Sequence, residues 1–63
     1  MNQDELEELA GRIGVLVERV TELTYDALRE QSNGNEHFKV FEKKLSTVRR
    51  SLVKAEATLR SLT

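Results

Sequence analysis

Few side chains in this sequence have the types that carry a reaction, and their spacing gives them no reaction to carry. The single histidine, His37, stands beside Glu36, a pairing from which general acid and base catalysis is often built. A working site would also need a nucleophile or an orienting acid within hydrogen-bond reach, and no Asp, Cys or Ser triad can be assembled around His37. It reads as an exposed side chain near a helix start. Glu7 and Glu8 are adjacent carboxylates, but adjacent residues on a helix point in different directions. An acid and base pair would also need an enclosed cleft, which two helices do not form. The chain has no cysteine, so it can make neither a disulfide nor a thiolate metal site, and one histidine does not make a metal site alone. Ser32-Asn33-Gly34-Asn35 has the glycine of a phosphate-binding loop without its lysine or preceding strand. The expectation is a protein with no catalytic residues, no cofactor and no metal.

The basic residues Lys43, Lys44, Arg49, Arg50 and Lys54 raise a second possibility, nucleic-acid binding by a small helical bundle. No stacking aromatics are interleaved with them, and the net charge of −1 gives no overall attraction to phosphate. They read as a solvated face. The sequence therefore predicts neither a nucleic-acid nor a membrane partner. No apolar run approaches the roughly 20 residues a bilayer needs. Met1-Asn2-Gln3-Asp4-Glu5 is acidic where a targeting segment would be basic. The absence of cysteine suits a reducing compartment.

The elements that would position these side chains follow from hydrophobic spacing. Leu6, Leu9, Ile13, Leu16, Val20, Leu23 and Ala27 recur at alternating steps of three and four, with Ala10, Val17 and Leu28 broadening the stripe on one side. Phe38, Phe41, Leu45, Val48, Leu52, Ala55, Leu59 and Leu62 repeat the rhythm. There is no proline, and the strongest breaker is the cluster at residues 32–35. The sequence thus predicts one all-α domain over residues 1–63, a coiled-coil-like antiparallel hairpin. Its helices should run from about 3 to 31 and 36 to 62, with the turn at 32–35.

Local signals support those limits. Asn2 is placed to cap the first helix, with Glu5 completing a capping box and Met1 and Leu6 a hydrophobic staple. Gly34 or Asn33 suits the left-handed residue that ends a helix, and Asn35 is placed to cap the second. Charge is divided between the halves. Residues 1–31 hold eight acidic and three basic side chains, whereas residues 35–63 hold seven basic and three acidic ones. Opposite signs favour pairing of the halves, although each exposed pair contributes only about 0–1 kcal/mol.

Sixty-three residues form at most one small domain, and no disulfide is available to reinforce it. A two-helix hairpin leaves one side of each apolar stripe wet, so another chain is expected to cover it. Val15, Tyr25, Val40 and Val53 lie off the main stripes, and Gly11 and Gly14 could allow another backbone to approach.

With its short length, two-helix plan, lack of cysteine and polar glycine-containing turn, the chain resembles the YscE-like co-chaperones of the type III secretion needle subunit. The resemblance centres on Glu36-His37-Phe38-Lys39-Val40-Phe41-Glu42, which is similar to the aromatic, polar, aliphatic, aromatic opening of that family's second helix. It implies a cytoplasmic co-chaperone that forms a heterodimer with a larger helical-repeat chaperone. Together they would keep the needle subunit unpolymerised by burying the apolar helix it uses for assembly. The residues expected to bind the partner are Leu9, Ile13, Leu16, Val20, Phe38, Phe41, Leu45 and Val48 as the buried set, with Val15 and Val40 as outward contacts. The alternative is a homodimeric four-helix bundle, a structural or assembly protein without a client.

Overall fold

In the computed structural model, which describes residues 2–62, the chain is an antiparallel pair of helices, α1 (Gln3–Ser32) and α2 (Phe38–Arg60). Together they measure 49 × 14 × 10 Å over the Cα atoms. The hairpin class predicted from the three-four spacing is the observed one.

Asn2 caps α1 as expected, while the capping-box bond from Glu5 is not found among the described residues. The Asn2 side chain accepts a hydrogen bond from the Asp4 amide at 2.8 Å, which satisfies one of the free amides of the first turn. Met1, proposed for a hydrophobic staple, lies outside the described residues. The turn agrees with expectation at Gly34 and departs from it at Asn35. Gly34 takes the positive φ, 97°, that side chains disfavour, while Asn33 keeps a negative φ. Asn35 does not cap α2; its side-chain amide instead donates to Glu30 at 2.8 Å, tying the turn to the end of α1. Its carbonyl accepts from the Phe38 amide, so a turn covers residues 36–37 before α2 begins. His37 occupies the cap position with no side-chain cap bond. The second helix is thus shorter than the predicted 36–62: residues 36–37 are spent on the turn, and residues 61–62 form a tighter turn after Arg60.

The line of contact is also shifted. The inward positions of α1 are Leu6, Ala10, Ile13, Val17, Val20, Thr24, Ala27 and Gln31, still in three-four steps, while Leu9, Leu16 and Leu23 stand to one side. Ala10, fully buried, and Ala27 lie on this line with the larger Leu6, and these three are its buried residues. Gly14 belongs to the same line: a Cβ there would sit 3.2 Å from the Glu56 carboxylate of α2. The space at Gly14 is therefore taken by the chain's own second helix. Gly11 has nothing within 4 Å of the corresponding position.

A candidate docking face

The two long sides of the hairpin differ in chemistry. On one side the helices meet through polar groups. Arg49 donates to the Thr21 hydroxyl at 2.8 Å, and Thr21 donates to the Val17 carbonyl at 2.7 Å. Two turns away Glu56 lies against Gly14 and pairs with Arg60 at 3.0 Å. Both cross-helix pairs, 14 with 56 and 21 with 49, add to 70, which fixes the level of each residue against the other helix.

The other side is apolar along its length. Near the turn, Leu23, Ala27, Phe38, Phe41 and Leu45 line one shallow depression, with Asp26 and Glu30 on its margin. The rings of Phe38 and Phe41 are 5.5 Å apart. At the opposite end Ile13, Ala55, Leu59 and Leu62 line another, with the polar Ser51, Lys54 and Thr58 among them. Between these ends the stripes continue through Leu16 and Val48, each about half exposed.

Only Leu6, Ala10 and Ala27 are buried among the described residues, and all three lie on α1. None of the ten residues singled out from sequence is buried within the hairpin. Ile13, Val20, Phe38 and Leu45 are half-buried at the helix contact, and Leu9, Leu16, Phe41 and Val48 are exposed on the apolar side. Eight of the ten therefore belong to one apolar strip along a single side. The outward contacts divide. Val40 shares a small depression with His37, Phe41 and Lys44 at the margin of the apolar side. Val15, one residue before Leu16 and so about 100° round the helix, faces away from α2.

The site set taken from sequence omitted Leu23 and Leu62, 53% and 60% exposed. Their heptad spacing from Leu16 and Ala55 was the signal that could have included them. Tyr25 and Leu28 line a separate depression with Arg29, Ser32 and Asn33.

The remaining chemistry is sparse. Among the described residues no three His, Cys, Asp or Glu side chains are grouped to hold a metal ion, and no helix is long and apolar enough to cross a membrane. The basic residues are dispersed: Arg49 turns toward Thr21, Lys44 borders Phe41, and Lys54 borders Ala55. Glu8 with Arg12 and Asp26 with Arg29 form exposed pairs within α1. No family model matches the chain, and neither a curated protein nor a solved structure matches it.

Proposed function

We propose that this hairpin is a small, non-catalytic co-chaperone that completes its own core against a larger helical-repeat chaperone. In this reading the pair keeps a type III secretion needle subunit unpolymerised before export, in the cytoplasm. The observation that carries the packing role is the open strip from Leu9 to Leu23 on α1 and from Phe41 to Leu62 on α2. Apolar groups gain free energy when removed from water, by roughly 25 cal/mol for each Å² covered. A strip of this length has its counterpart in the groove of a helical protein. The client is suggested by the YscE-like resemblance of residues 36–42, where Phe41 and Val40 lie on or beside the open strip.

The mechanism is physical. The hairpin supplies a complementary apolar layer to the larger chaperone, and the stabilised chaperone covers the subunit helix that would otherwise drive polymerisation. Co-expression with a helical-repeat chaperone and a needle subunit encoded alongside tests it. The expected result is a complex of one hairpin with one chaperone that holds one needle subunit, lost on Leu16→Glu. A hairpin that stays a cooperatively melting monomer and is retained by neither protein would overturn the reading.

A further inference from the structure

We propose that, before it meets another protein, the open face closes on a second copy of this chain, with α1 of each copy lying over α2 of the other. The product is a four-helix bundle in which every adjacent pair of helices runs antiparallel. This rests on the reading of that face as a docking surface, and it adds a resting state from which a partner must draw the hairpin.

Charge selects this arrangement over its alternative. Two hairpins stacked face to face by a two-fold axis across the helices would place α1 over α1 and α2 over α2. The first half of the chain carries a net −5 and the second half +4, so that stacking sets like charge over like. An axis parallel to the helices instead puts each helix beside two of opposite sign and leaves like-charged helices on the diagonals. The borders of the face agree locally. Asp26 and Glu30 edge the strip on the α1 side, and Lys44 and Lys54 edge it on the α2 side.

Register sharpens the match. Within the hairpin, level residues add to 70, and a parallel two-fold axis preserves that rule between copies. Asp26 of one copy then lies level with Lys44 of the other, twice per dimer. Leu23 falls one residue from level with Val48, and Leu16 one residue from level with Ala55. The outline of the broad side, 49 × 14 Å between Cα atoms, is about 700 Å², against the ~800 Å² per partner of a standard stable interface, so a second copy would have to cover nearly all of it to form one.

Sedimentation of the purified full chain across the micromolar range, with circular dichroism on the same samples, tests this pairing. Wild type is expected at the mass of two copies. Asp26→Lys or Lys44→Asp alone should weaken the dimer by about tenfold at low salt, and the double exchange should restore most of the loss. The absence of cysteine permits a second readout that does not depend on affinity. Asp26→Cys chains mixed with Lys44→Cys chains should form a mixed disulfide on oxidation, while neither variant cross-links to itself. A dimer without charge coupling or mixed disulfide overturns the proposed arrangement. A chain that is monomeric throughout overturns self-pairing altogether. In that event, loss of the chaperone complex in Leu16→Glu would leave the docking reading standing, whereas its persistence would remove both.

Discussion

One side of this hairpin is held by Thr21 with Arg49 and by Glu56 with Gly14, whereas the other is a strip of leucine, phenylalanine and valine left half in water. Polar groups on the first side find partners within the chain. Apolar groups on the second do not, because two helices touch along a single line. The difference separates two tasks usually merged in a core: the polar side sets how the helices are aligned, and the apolar side is left open, the face proposed to meet another chain.

The most severe way to break this contrast is to place a charge in the open strip. Leu16→Glu or Phe41→Glu should weaken association, with a second copy or with a chaperone, by at least about 2 kcal/mol, measured by sedimentation or titration calorimetry. If affinity is unchanged, the strip is not the contact surface. Enlarging the line between the two sides comes next. Ala10→Leu introduces bulk at a residue with no exposed surface and should lower thermal stability by about 1–3 kcal/mol at fixed protein concentration. Gly34→Ala should cost about 1 kcal/mol in the same melt, since its φ of 97° is unfavourable for a side chain. The two helical glycines then divide. Gly11→Ala should stabilise by up to about 1 kcal/mol, and Gly14→Ala by less, because the Glu56 carboxylate must move. On the polar side Thr21→Val should change stability by no more than about 0.5 kcal/mol, since its bond to Arg49 is exposed. An effect as large as that of Ala10→Leu would mean that the polar side carries the fold.

Two helices and their antiparallel order were legible because stripe spacing and the break at residues 32–35 are local properties of sequence. Asn2 was legible for the same reason. The identity of the α2 cap was not: Asn35 had two possible partners, and its bond to Glu30 depends on how the turn folds back. The choice between Leu9 and Ala10 as the inward residue was equally hidden. Both fit the broadened stripe, and only the approach of α2 decides between them. For the candidate face, Leu9, Leu16, Phe41 and Val48 were identified in sequence but expected to be covered. Periodicity locates an apolar stripe without saying how much of it a single neighbouring helix can reach.

The short turn through Gly34 has a kinetic consequence. Closing so small a loop takes microseconds or less, so the hairpin shape forms faster than two molecules meet at cellular concentrations. With three residues buried among those described, the proposed docking would make persistence of that shape depend on the encounter that follows. Amide protection from hydrogen exchange should therefore rise with total protein concentration and with added chaperone, making the chain's structural lifetime a report on how often it finds company.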